Sequence, residues 1–206
     1  MMETTHELLR ALSQGKIPNE ETLERIAATN DDSYLRHSAI WYLTDQAALE
    51  RLASTAILPA VREAATWKIA DTIVLERIAE SDLSHDVRMA AIWQITDQDV
   101  LERIAQSGQP SNVREAAVNR LTDQTVLERI AATDMSPNVR RAAVEHVTDQ
   151  ETLERIAATD VSEYLRMYAV EHLTDRETLE RIAQSDGSIL VRMAATQQIR
   201  RLPGLE

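Results

Sequence analysis

The sequence predicts an all-α protein: a right-handed α-solenoid of seven two-helix repeats, each 26 residues long. Three observations carry this reading. The string Leu-Glu-Arg-Ile/Leu-Ala begins at Leu23, Leu49, Leu75, Leu101, Leu127, Leu153 and Leu179. A second marker, Arg preceded by Val or Leu, falls at Arg36, Arg62, Arg88, Arg114, Arg140, Arg166 and Arg192. An Ala follows each Arg by three places, from Ala39 to Ala195, and no insertion disturbs the phase.

The elements follow in chain order. Residues 1–18 read as an N-terminal capping half-repeat, since Leu9-Arg10 falls in phase with the second marker and Gly15 and Pro18 break the chain after it. Residues 19–200 hold the seven repeats, starting at 19, 45, 71, 97, 123, 149 and 175. A step of this length holds two short helices and two tight turns. Thr148-Asp149-Gln150-Glu151 reads as a capping box, with the Thr148 hydroxyl accepting from the third helical N–H and Glu151 reaching back. The first helix then buries Leu153, Ile156 and Ala157, which share one face at helical spacing. Ser136-Pro137 starts a second helix, with Pro at the first helical position. In the next copy Leu165, Ala169 and Leu173 form the buried stripe, and the small central Ala lets two axes approach. Residues 201–206 form a tail whose Leu205-Glu206 has the form of a tag remnant.

Composition narrows the function. Apolar residues make up 44% and charged residues 27%, as in folded globular chains. The net charge of −12 comes from 34 acidic and 22 basic residues, with Lys only at 16 and 68. Nucleic-acid binding needs a basic stripe, so this balance is against it. Cysteine is absent, which excludes disulfides and thiolate chemistry. No apolar run reaches membrane-spanning length and no signal peptide is visible. The expectation is a cytoplasmic protein that does not bind membranes.

The stretch Asp134-Met135-Ser136-Pro137-Asn138-Val139-Arg140-Arg141-Ala142-Ala143-Val144 resembles the second half of HEAT-like repeats. The short period resembles the leucine-rich variant type. The resemblance covers nearly the whole chain. It implies a first helix that is partly 3₁₀, and an Asp–Arg ladder between neighbouring repeats. The residues matching that ladder are Asp82, Arg88, Asp134, Arg140, Asp160, Arg166, Asp186 and Arg192. Asn30, Ala56 and Gly108 replace the Asp elsewhere, so the ladder should be interrupted in the second and fourth copies.

Residues common to all copies are explained by stacking. Function should therefore lie where the second helices vary. Five places after the Arg the copies read Trp41, Trp67, Trp93, Asn119, Glu145, Glu171 and Gln197. Next to the Arg stand His37, Glu63, Met89 and, later, Arg141; two before it stands Tyr34. The expected site is thus an aromatic strip of Tyr34, Trp41, Trp67 and Trp93 with Met89 in the first copies, continued by Asn119, Arg141, Glu145 and Glu171. Trp is the strongest anchor type at protein interfaces. This predicts a non-enzymatic scaffold that binds a protein or peptide, as a monomer or as a weak homodimer through the Trp strip. Rings lying flat over neighbouring helices are the competing expectation.

No cofactor, metal or catalytic residue is expected. Gly-rich phosphate loops and His-Glu-x-x-His motifs are absent. His146 and His172 occupy equivalent places one repeat apart, too far for one metal. Two enzyme types built on HEAT-like scaffolds stand as alternatives, one excising alkylated DNA bases and one attaching bilins. The first uses Trp and an acid on its concave face; for the second, Trp, Tyr and acidic groups in a groove would suit a tetrapyrrole, though nothing in the sequence is specific to it. An engineered solenoid without a ligand is a third.

Overall fold

The computed structural model describes residues 16–202. The half-repeat expected at Thr5–Ser13 and residues 203–206 lie outside the described residues. All regular structure among the described residues is α-helical: α1 Glu20–Thr29, α2 Ser33–Tyr42, α3 Gln46–Thr55, α4 Pro59–Thr66, α5 Thr72–Ser81, α6 His85–Gln94, α7 Gln98–Ala105, α8 Ser111–Val118, α9 Gln124–Thr133, α10 Pro137–Val144, α11 Gln150–Thr159, α12 Glu163–His172, α13 Arg176–Ser185 and α14 Ile189–Arg201. Odd-numbered helices begin each repeat and even-numbered ones complete it. Contacts divide the chain into two compact units, Met1–Asp97 and Gln98–Glu206.

Helices of eight to ten residues are too short to persist alone in water. Packing supplies what length does not. Each odd helix packs on the even helix that follows it, and even helices also pack on their neighbours, α2 on α4 and α4 on α6 in the first unit, α8 on α10 and α10 on α12 in the second. The repeat markers are the core. Leu23, Leu49, Leu101, Leu127, Leu153 and Leu179 are almost completely buried, as are the Ile or Leu three places after each. Every marker Ala from Ala39 to Ala195 is fully buried. A larger side chain there would force the packed helices apart.

The first helices differ from the 3₁₀ expectation: they are α-helical throughout. The 1→5 bonds run to both ends of α1, from Leu23 N–H to Asn19 O and from Asn30 N–H to Ile26 O. The buried Leu-x-x-Ile-Ala stripe has α spacing, which a 3₁₀ turn would rotate out of the core.

The capping-box reading is also corrected. Asp, not Thr, caps the first helices: Asp149 accepts from Thr152 N–H at 2.8 Å and Asp175 from Thr178 N–H at 2.7 Å. These N–H donors hold both carboxyl groups below the usual carboxylate range. The Thr before the Asp bonds instead to the residue that opens the first helix of its own repeat. Thr148 N–H and Oγ1 donate to Gln124 Oε1 at 2.9 and 3.0 Å, while Gln124 Nε2 donates to His146 O at 3.0 Å. Gln98 and Gln150 make the same clamp on Thr122 and Thr174, and Glu20 makes its acidic counterpart on Thr44.

The Asp–Arg ladder exists with a different membership. Each Arg pairs with the Asp twenty places later, in the next repeat: Arg62 with Asp82, Arg114 with Asp134, Arg140 with Asp160 and Arg166 with Asp186. All four are two-pronged, with Nε and Nη2 on the two carboxylate oxygens. The third nitrogen of each Arg caps a carbonyl in its own interhelical turn, as Arg140 Nη1 does with Asp134 O at 2.8 Å. Among the described residues Arg88 and Arg192 have no ion-pair partner; each donates to the backbone carbonyl of the Asp in its own repeat. Arg62 and Arg114 stand in their place. The loss at the second copy is visible at Arg36, which donates only to the Asn30 and Asp31 carbonyls, the position twenty later being Ala56. Arg88 Nε is buried without a hydrogen-bond partner. Within the ladder, the bound Arg166 guanidinium holds the Asp186 carboxyl below its usual range against the opposing effect of burial.

Candidate functional site

In the first unit the marker Ala turns one side of α2, α4 and α6 into the core. The residue five places after the Arg is therefore carried to the opposite side. Trp41 is 77% exposed, Trp67 49% and Trp93 54%. Trp41 and Trp93 stand near the C-terminal ends of α2 and α6. Trp67 is the C-cap of the shorter α4, in right-handed helical conformation with its N–H on Glu63 O.

An open cleft of about 490 Å³ lies between α2 and α4. His37, Ile40 and Trp41 line it from α2; Ala60, Glu63 and Ala64 line it from α4, with Trp67 and Lys68 following. Two alanines and one isoleucine leave room between two indoles, so the lining is mainly apolar. The cleft thus brings together four of the sequence-predicted residues: His37, Trp41, Glu63 and Trp67. Tyr34, 83% exposed at the start of α2, and Met89 and Trp93 on α6 are not in its lining.

The charges in the cleft are unequal. Lys68 is anchored: its ammonium donates to Ile40 O at 2.9 Å, Trp41 O at 2.6 Å and Leu43 O at 2.6 Å. A cation on the last carbonyls of α2 opposes the negative end of the helix dipole. Burial pushes the Lys68 pKa down. Two equivalent positions do the same with amides, Gln94 Nε2 on Thr66 O and Gln198 Nε2 on Leu173 O. His37 Nδ1 lies 3.1 Å from Ser33 O, which can only accept, so that nitrogen donates. Glu63 has no ion-pair partner among the described residues.

The second unit carries the remaining predicted residues, and they form a different surface. Arg141 bonds Glu115 at 3.0 Å and also Glu145, and its guanidinium lies over the Tyr168 ring, 5.6 Å from the centroid. Asn119 and Glu145 are C-caps of α8 and α10, and Glu171 is exposed on α12. His146 and His172 contribute backbone carbonyls to Gln124 and Gln150. Among the described residues no group of three or more His, Asp or Glu side chains is placed to hold a metal ion. None of the described helices is long and apolar enough to cross a membrane.

Sequence reasoning missed two things. One is the role of Lys68, whose signal was its rarity. The other is a row of almost fully exposed apolar residues in the interhelical turns, Ile57 and Leu83 in the first unit, Met135 and Val161 in the second. The 26-residue step from the position after the ladder Asp would have found it.

No family model matches the sequence, and no curated protein does. Among solved structures, the chain is similar to YibA of Escherichia coli, at 16% identity and a TM-score of 0.46, over 94% of this chain and 97% of that one.

Proposed function

We propose that this helical repeat protein is a non-enzymatic scaffold that binds a peptide or protein segment through the variable face of its second helices, with Trp41 and Trp67 as anchors. One observation carries the reading: two indoles, 77% and 49% exposed, line one mainly apolar cleft. Burying aromatic area of this kind is the main source of affinity at interface centres. The chemistry in the cleft supports binding over catalysis. Its amine, Lys68, is tied to three carbonyls and is not poised as a nucleophile or base. The same fact weighs against a DNA-processing enzyme, because the basic side chains of this face are engaged within the protein, Arg141 included. Among helical repeats we place the chain nearer the HEAT-like type than the leucine-rich variant, on the strength of its α-helical first helices.

Peptides selected on the wild type from a random dodecapeptide display library test this. Their affinity should fall by about tenfold or more on Trp41→Ala/Trp67→Ala/Trp93→Ala. That variant should keep the wild-type circular dichroism and melt within a few degrees of it. A large loss of melting temperature would instead make the rings packing residues and end the proposal.

A further inference from the structure

The cleft between α2 and α4 also indicates the chemistry of its occupant. We infer that it takes a basic side chain, a guanidinium in particular, carried on an apolar segment of the partner. This rests on the docking reading above and deepens it.

Three features point the same way. Glu63 presents a half-buried carboxylate to the cleft with no ion-pair partner among the described residues. Among the other carboxylates on or beside even-numbered helices, Glu115 and Glu145 are held by Arg141 and Glu163 accepts from Ser188 Oγ at 2.6 Å, while Asp86 and Glu171 stand exposed to water rather than in a cleft. A carboxylate beside apolar walls gains more from a bound cation than one in open water. Next, the two indoles that share the cleft offer π-faces, whose negative quadrupole attracts a cation. Guanidinium combines both demands, stacking on an indole while its fork bonds a carboxylate. Finally, Lys68, the one cation in the lining, has its three donors on the Ile40, Trp41 and Leu43 carbonyls, so it does not satisfy Glu63.

The protein's charge selects among occupants. At −12, a second copy of this chain would meet like charge, and an acidic or phosphorylated segment would meet Glu63. A basic, apolar segment meets neither penalty. Ile40, Ala60 and Ala64 supply the wall against which its flanking apolar residues pack.

The test compares dodecapeptides selected on wild type, on Trp41→Ala/Trp67→Ala and on Glu63→Gln. Glu63→Gln keeps the shape of the side chain and breaks no ion pair among the described residues, so its fold should hold. The expected result is a wild-type set rich in Arg or Lys flanked by apolar residues, absent from the double-Trp variant and stripped of its basic preference on Glu63→Gln. Replacing the Arg of a selected peptide by citrulline, its neutral isostere, should then cost about tenfold in Kd on wild type and less than about threefold on Glu63→Gln. Trp-dependent peptides without basic enrichment would overturn this inference and leave the docking groove standing. Failure to select any Trp-dependent peptide would overturn both. A dimer in sedimentation that the Trp substitutions dissolve, and that no peptide displaces, would put a second copy in the cleft and overturn the basic occupant.

Discussion

The second-helix faces of the two units share a backbone pattern and differ in saturation. In the second unit a central group of the variable positions is satisfied internally: Arg141 joins Glu115 of the previous repeat to Glu145 of its own and covers Tyr168 of the next. In the first unit the same positions hold Glu63, Trp41 and Trp67 around a cleft, and Glu63 lacks such a partner among the described residues. The repeat decides where a side chain stands. It does not decide whether that side chain's interactions are completed inside the protein. A face left incomplete is the one with free energy still available to a partner.

The comparison assumes that the frame beneath is equal in both units, and the ladder can break that assumption. Asp82→Ala in the first unit and Asp160→Ala in the second each leave a largely buried Arg without its carboxylate. Each should lower stability by roughly 3–5 kcal/mol in denaturant titrations. A loss several-fold smaller at Asp82 would mean that the two frames are not equivalent. A gain should come from Ala56→Asp, which supplies a carboxylate twenty residues after Arg36, the register of the four existing pairs. The denaturant midpoint should rise by the equivalent of about 1–2 kcal/mol. A fall would show that the first junction has a different register. The smallest effect belongs to the charged face itself. Arg141→Ala should cost no more than about 1 kcal/mol, and molar salt should shrink the difference further. A larger, salt-insensitive loss would make that face part of the core and undo the contrast with the Trp cleft.

The fold was legible because its markers are side chains that must be buried. Leu153, Ile156 and Ala169 announce their faces by spacing alone, and the structure buries them. Polar partnerships were less legible, since one donor has several acceptors within reach. Thr148 and Asp149 are both good caps. The choice went to Asp149 because Gln124 of the previous repeat claims Thr148, and that contact spans 24 residues. The ladder between neighbouring repeats was legible except at its ends: Asp82 takes its partner, Arg62, from the preceding repeat, where Ala56 replaces the Asp that marks ladder members. At the candidate site, the Trp positions followed from the period. The cleft did not, because it depends on Ala60 being small where every other copy carries a larger residue, and on Lys68 reaching back to cap α2.

Beside the Arg–Asp ladder, several clamps along the row fall on backbone atoms. Lys68 reaches back to three carbonyls of the repeat before it, Gln94 and Gln198 each reach back to one, and Gln124 grips the His146 carbonyl and the Thr148 amide at the far end of its own repeat. A main-chain atom is the same whatever side chain follows it. Such joints tolerate almost any residue at position 41, 67, 119 or 145. A copy carrying a new recognition surface could therefore be exchanged into the row with its couplings intact, which makes each repeat an interchangeable part and the outer face free to diversify.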